Sequence, residues 1–171
     1  MGEVARTLVK LSGPDAVHGI IPAALVKYEQ GWDPENPSDL NKAIDARVFG
    51  RTTVVEDMHT RKKMMAQEVV AGGKGSGFVA LSGGYGTLEE LMEVTTWNQL
   101  GIHERGVVIY NVDGYWDGLI SWVKNAVKSG FIAPKNEAIM IEANTAEEVV
   151  SSLIEYKNSE ARFNLKWESE G

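Results

Sequence analysis

Ser82 to Glu90 reads Ser-Gly-Gly-Tyr-Gly-Thr-Leu-Glu-Glu and follows directly on the apolar run Phe78-Val79-Ala80-Leu81. The pattern predicts a short buried strand that opens into a glycine-rich turn and then into a helix from about Leu88. Such a turn can cradle a phosphate with backbone N–H groups while holding an acid beside it. Gly83, Gly84 and Gly86 offer positive φ and close backbone approach. Thr87 and Glu90 have the spacing of a capping box, so Glu90 reads as a structural cap at least as readily as a catalytic acid. Glu89 has no such local employment. It is expected one position into the helix, where the dipole keeps a carboxylate ionised, and it is the better candidate for chemistry. The plainer alternative for Glu89 is a solvated first-turn acid.

A second constellation is Glu56-Asp57-Met58-His59-Thr60-Arg61-Lys62-Lys63-Met64-Met65, at the start of a helix that follows a predicted strand. Arg61, with its planar fork, and Lys62, a point charge, are cations suited to a phosphomonoester. The same residues also fit an ordinary amphipathic helix with a charged face and a methionine face. Two other glycine-rich readings fail on spacing. Gly84-Tyr85-Gly86-Thr87-Leu88-Glu89 lacks the third glycine of a dinucleotide fingerprint, and Gly73-Lys74-Gly75-Ser76-Gly77 has no Ser/Thr after its lysine and precedes a strand. His18, His59 and His103 are scattered without metal-ligand spacing, so no metal is expected. No cofactor is expected either: a pyridoxal phosphate enzyme needs a buried Schiff-base lysine, and Lys74 in a glycine loop is a poor one.

The elements that must position these groups alternate along the chain. Helical spacing covers Glu3 to Leu11, and Gly13-Pro14-Asp15 stops it. Ala16 to Ile21 reads as a strand ended by Pro22, and Trp32 to Ser38 as a polar, proline-rich loop. Thr52 to Val55 is a strand, and Asp57 is placed to cap a helix from about Met58 to Val70. After a glycine turn at Gly72 to Gly77 come the strand Phe78–Leu81 and the helix Leu88–Leu100. Val107 to Tyr110 is a strand turned at Asp113-Gly114, leading to a helix from Tyr115 to Lys128 with Gly130 just past its end. Ala138 to Ile141 is the last strand, and Thr145-Ala146-Glu147-Glu148 offers a capping box for the last helix. This alternation predicts an α/β fold: a Rossmann-like, doubly wound parallel sheet with helices on both faces. Residues 1–157 are read as one catalytic domain and 158–171 as a polar tail. The chain opens on a helix with no strand ahead of it. Either the fold begins there, or Gly2 ends a glycine-rich turn whose preceding part is absent.

Composition narrows the function classes. The 171 residues carry 17 basic and 24 acidic side chains, a net charge of −7, which disfavours nucleic acid as a partner. The absence of cysteine excludes disulfides, a catalytic thiol and thiolate metal sites, and suits a cytoplasmic location. No apolar run approaches the roughly 18–20 residues that span a bilayer, so no membrane association is expected.

Taken in order, Asp57-Met58-His59-Thr60-Arg61-Lys62, Gly83 to Glu90, Trp97-Asn98-Gln99-Leu100-Gly101-Ile102-His103 and Asn111-Val112-Asp113-Gly114-Tyr115 closely resemble the LOG ("Lonely Guy") family. These are cytokinin riboside 5'-monophosphate phosphoribohydrolases, often mislabelled lysine decarboxylases. The resemblance runs from Met1 to about Tyr156. It implies a Rossmann-like fold, a homodimer or dimer of dimers with active sites near the subunit interface, and hydrolysis of the N-glycosidic bond of N6-substituted adenosine 5'-monophosphates. It further implies that Arg61 and Glu89 form the catalytic pair, and that Lys62, Gly83, Gly84, Tyr85, Gly86, Thr87, Glu90 and Thr96 bind the nucleotide. Other readings are a general purine 5'-monophosphate nucleosidase and a nucleotide-binding protein without turnover. Three departures stand out. Ser82 replaces a proline, Ala23-Ala24-Leu25 lacks a glutamate, and the strand–helix–strand unit and glycine turn expected ahead of Met1 are not in this sequence.

Overall fold

In the computed structural model the described residues are 2–26, 28, 44–163 and 165. The loop expected at Trp32 to Ser38 lies outside them. The chain forms two compact units, Met1–Met65 and Ala66–Gly171.

In the first unit, α1 (Gly2–Ser12) precedes β1 (His18–Pro22), the short α2 (Ala23–Val26), the short α3 (Ala46–Phe49) and β2 (Arg51–Val55). β1 and β2 pair in parallel from His18↔Arg51 to Pro22↔Val55. Pro22 therefore closes the strand from inside it rather than just beyond it. A side-chain hydrogen bond of 2.8 Å joins His18 Nε2 to Thr53 Oγ1 across the pair. Asp45 caps α3 by accepting from the Arg47 N–H. α4 (Met58–Ala71) starts in this unit and ends in the next.

The second unit is built on β3 (Gly77–Ala80), β4 (Gly106–Tyr110) and β5 (Met140–Ala143), all parallel, in the order β3-β4-β5. β4 is the middle strand, and Val107, Val108 and Ile109 are buried on it. Its alternation splits the core. Val107 and Ile109 pack with Ala80, Leu91, Val94 and Trp116, whereas Val108 packs with Ala143 and Val149. The first cluster draws on α5 (Tyr85–Leu100) and α6 (Asp117–Lys128), the second on α7 (Ala146–Glu155). Helices thus cover both faces, as the apolar run of β4 requires, and burying each such Val or Ile side chain contributes about 1.5–3 kcal/mol. The fold class read from the sequence is the fold observed.

Several boundaries move. α6 begins at Asp117 rather than Tyr115, because Val112–Gly114 forms a 3-10 turn first. β5 begins at Met140 rather than Ala138, because a 3-10 segment, Pro134–Ile139, continues to Ile139 and buries it. Gly130 does end α6: its φ is 80°, its N–H reaches the Val127 carbonyl, and Phe131 N–H reaches the Ala126 carbonyl. Thr145 and Glu148 form the expected capping box.

The far end of α5 is tied to the start of β4 by buried polar groups. Asn98 Nδ2 donates to the Arg105 carbonyl at 3.0 Å. His103 Nε2 donates to the Val94 carbonyl at 2.8 Å, and His103 Nδ1 accepts the Arg105 N–H at 3.1 Å, which fixes a neutral tautomer. The Arg105 guanidinium then caps the C-terminal end of α4 through the carbonyls of Val70, Gly72 and Gly73.

Burial holds the His103 imidazole below its ordinary value of 6.5. The folded state therefore binds fewer protons than the unfolded chain near that pH. The stability this contributes is complete above about pH 6.5, declines as pH falls, and is gone below the folded-state value. Asp45, Asp57 and Glu160 are carboxyls held below their ordinary range and act at lower pH. Denaturant titrations at steps between pH 7.5 and 5.5 are expected to show stability falling, and His103→Gln should flatten that slope.

Candidate active site

α5 starts at Tyr85, three residues earlier than its sequence pattern indicates, with Gly84 as N-cap. The first intrahelical bond is Leu88 N–H to the Gly84 carbonyl at 3.1 Å. The N–H groups of Gly84, Tyr85, Gly86 and Thr87 consequently have no acceptor within the helix. The first turn carries no acid, so the positive end of this 16-residue helix is not offset by its own side chains. A Cβ built at Gly84 or Gly86 would meet nothing within 4 Å, so both backbones face open space.

This geometry corrects two expectations. Thr87 is not the N-cap, and no capping box forms with Glu90. Thr87 lies inside the first turn against Gly83, where an added Cβ would stand 2.2 Å from its hydroxyl. Nor do Gly83, Gly84 and Gly86 use positive φ; their value here is close approach and open backbone. Glu89 therefore sits in the second turn rather than one position into the helix, exposed beside a half-buried Glu90. Thr96 is exposed on the same face as Glu89, two turns or about 10 Å further along the axis. Tyr85 is 95% exposed at the first helical position.

Because β3 and β4 are parallel neighbours, the loop that leaves β4 runs beside the glycine loop that leaves β3. Asn111 organises it. Its backbone N–H extends the ladder to the Ala143 carbonyl at 2.8 Å, and its Oδ1 accepts the Trp116 N–H at 2.7 Å. Its Nδ2 donates to Asp117 Oδ1 and to Glu142 Oε1, both at 2.8 Å. Asp113 (φ 52°) and Gly114 (φ 71°) are both left-handed and reverse the chain inside this knot. Tyr115 emerges from the reversal and donates its hydroxyl to the Gly83 carbonyl at 2.6 Å. The sequence marks Asp113-Gly114 as the turn after this strand and Asn111 to Tyr115 as part of the family resemblance, but it does not show the bonds that Asn111 and Tyr115 make.

The other constellation lies at the start of α4. Asp57 is its N-cap: Oδ1 accepts the Thr60 N–H at 2.8 Å and Oδ2 the Thr60 hydroxyl at 2.9 Å. Those two bonds hold the Asp57 carboxyl below its usual range. Arg61 follows in the next turn, half-buried, and its Nε donates to the Ile20 carbonyl of β1 at 3.1 Å. Lys62 is likewise half-buried. Arg61 and Lys62 belong to the first unit, and the glycine loop, Glu89, Glu90 and Thr96 to the second. Among the described residues no group of three or more His, Cys, Asp or Glu side chains is placed to hold a metal ion, and no helix is long and apolar enough to cross a membrane.

A parallel α/β fold with a glycine loop opening into a helix at a strand's C-terminal end is the Rossmann-like class. A family model described as "possible lysine decarboxylase" matches residues 1–153. A protein of Fusarium pseudograminearum (strain CS3096) named bifunctional cytokinin biosynthesis protein is 56% identical over 167 residues, 98% of this chain and 34% of that protein. Cytokinin riboside 5'-monophosphate phosphoribohydrolase LOG3 of Arabidopsis thaliana is 42% identical over 156 residues, 90% of this chain and 63% of that protein. A rice relative (Oryza sativa subsp. japonica), probable cytokinin riboside 5'-monophosphate phosphoribohydrolase LOGL3, is 39% identical over 171 residues, 99% of this chain and 71% of that protein. The chain belongs to this family, the LOG family. It spans about a third of the fungal relative and just under two thirds of the Arabidopsis one.

The Asn111 knot carries an expectation of its own. Asn111→Ala strands the buried Trp116 N–H and frees two carboxylates from their shared donor. It should cost about 2–3 kcal/mol in a urea titration. A change of only a few tenths would mean that the loop holds its shape without the knot.

Proposed function

We propose that this chain hydrolyses the N-glycosidic bond of N6-substituted adenosine 5'-monophosphates, releasing a free cytokinin base and ribose 5-phosphate. The observation that carries the reading is the open first turn of α5. Four N–H groups without helical acceptors and no first-turn acid suit a phosphate, and Glu89 stands one turn further on. Family membership and the names of the relatives support the substrate class.

Glycosidic cleavage builds oxocarbenium-like positive charge on the ribose. In this reading the Glu89 carboxylate stabilises that charge and activates the attacking water. Phosphate held by the glycine loop is remote binding energy that fixes the ribose for attack, which explains a preference for nucleotide over nucleoside. Resemblance to the family assigns Arg61 to the catalytic pair. The same resemblance assigns Lys62, Gly83, Gly84, Tyr85, Gly86, Thr87, Glu90 and Thr96 to nucleotide binding. The reaction needs no cofactor. Residues 1–157 are taken as a single catalytic domain because the family match runs through residues 1–153 in both units. Resemblance to the family extends the reading to a cytoplasmic homo-oligomer, a dimer or a dimer of dimers.

Base release from N6-isopentenyl-AMP, measured beside AMP on the folded chain, tests the reaction. Free base and ribose 5-phosphate support it, with the faster substrate naming the specificity; no release from either sinks it. Glu89→Gln should lower kcat by about 100-fold or more while leaving nucleotide binding intact. Near-normal turnover would remove Glu89 from the chemistry. Arg61→Ala should likewise lose most of its activity, and wild-type rates in that variant would exclude Arg61 from the pair.

A further inference from the structure

The Gly83–Gly84 peptide unit immediately precedes α5, and its orientation decides what the loop presents. Its carbonyl accepts the Tyr115 hydroxyl at 2.6 Å. This peptide is trans, so the Gly84 N–H points away from Tyr115, on the opposite side of the same plane. That N–H is the first of the four donors without a helical acceptor.

Nothing in the two residues themselves enforces this orientation. Flipping the peptide would carry the Gly84 φ from −97° to about +80°, a value glycine adopts at little cost. The flipped form would point a carbonyl oxygen where the present form points an N–H. An anion that one state attracts, the other repels.

We infer that Tyr115 is a positioning residue for phosphate binding: its hydroxyl holds the Gly83–Gly84 peptide in the orientation that offers the Gly84 N–H to the phosphate. The left-handed Asp113-Gly114 reversal and the bonds of Asn111 to Trp116, Asp117 and Glu142 aim the ring. Edge contact with the Trp116 ring, centroids 5.0 Å apart, adds to its support. Tyr115 is itself 54% exposed, so its hydroxyl adds little to global stability and acts mainly on the local equilibrium of the loop. The inference rests on the proposed reading for its ligand, a nucleotide 5'-monophosphate.

Tyr115→Phe deletes the hydroxyl and leaves the ring. The melting temperature should stay within about 2 °C of the parent chain. KM for N6-isopentenyl-AMP should rise about five- to tenfold, the scale of one hydrogen bond, with kcat changed less than about twofold. The kcat/KM for the matching nucleoside, which has no phosphate, should not change. Inorganic phosphate titrated by calorimetry in the absence of substrate should bind more weakly by the same factor. That last arm is independent of turnover. A chain that hydrolyses nothing, yet loses phosphate affinity in the variant, keeps the inference and sinks the proposed reaction. Equal phosphate affinity in both chains, equal losses on nucleotide and nucleoside, or a parent chain that binds no phosphate would each overturn it.

Discussion

Parallel pairing on both sides of β4 is the constraint from which the second unit follows. A strand hydrogen-bonded along both edges and buried on both faces cannot shift register without exposing Val107, Val108 or Ile109. Parallel neighbours also send their chains out at the same edge of the sheet. The glycine loop after β3 and the Asn111 loop after β4 are therefore brought side by side by the sheet, before any side chain contributes. Tyr115 and Gly83 are 32 residues apart in sequence and meet because of it.

The helix that carries Glu89 is held at both ends. At its start the Tyr115 hydroxyl fixes the peptide ahead of the N-cap. At its end Asn98, His103 and the Phe163 N–H on the Gln99 carbonyl tie the last turns to β4 and to the segment that follows α7. Polar groups buried in this way are costly unless satisfied, and the satisfied ones specify one arrangement. A helix fixed at two points presents its exposed face, with Glu89 and Thr96 two turns apart, in one orientation.

The sequence Thr-x-x-Glu occurs at both Thr87 and Thr145, and the two behave differently. Thr145 caps α7 and closes the box with Glu148. Thr87 is overtaken by the helix, which begins at Tyr85 with Gly84 as its N-cap, so Tyr85 and Gly86 take helical backbone ahead of it. Local spacing is identical in the two cases. The residues ahead differ, Gly-Tyr-Gly before Thr87 and Glu-Ala-Asn before Thr145, and the loop before Thr87 also accepts a bond from Tyr115 on a distant loop.

What the sequence determined by itself was the alternation of strands and helices, the parallel α/β class, and a glycine loop that opens into a helix carrying paired acids. Those features are local: periodicity, caps and turn residues are written within a few positions of where they act. Asp57, Thr145 and Gly130 took the capping roles their neighbours implied. Only the tertiary structure decided where α5 begins, which glycine faces open space, and what Asn111 and Tyr115 do. Those outcomes depend on which loops the sheet brings together, and the free energy that selects them comes from hydrogen bonds and burial between residues far apart in the chain.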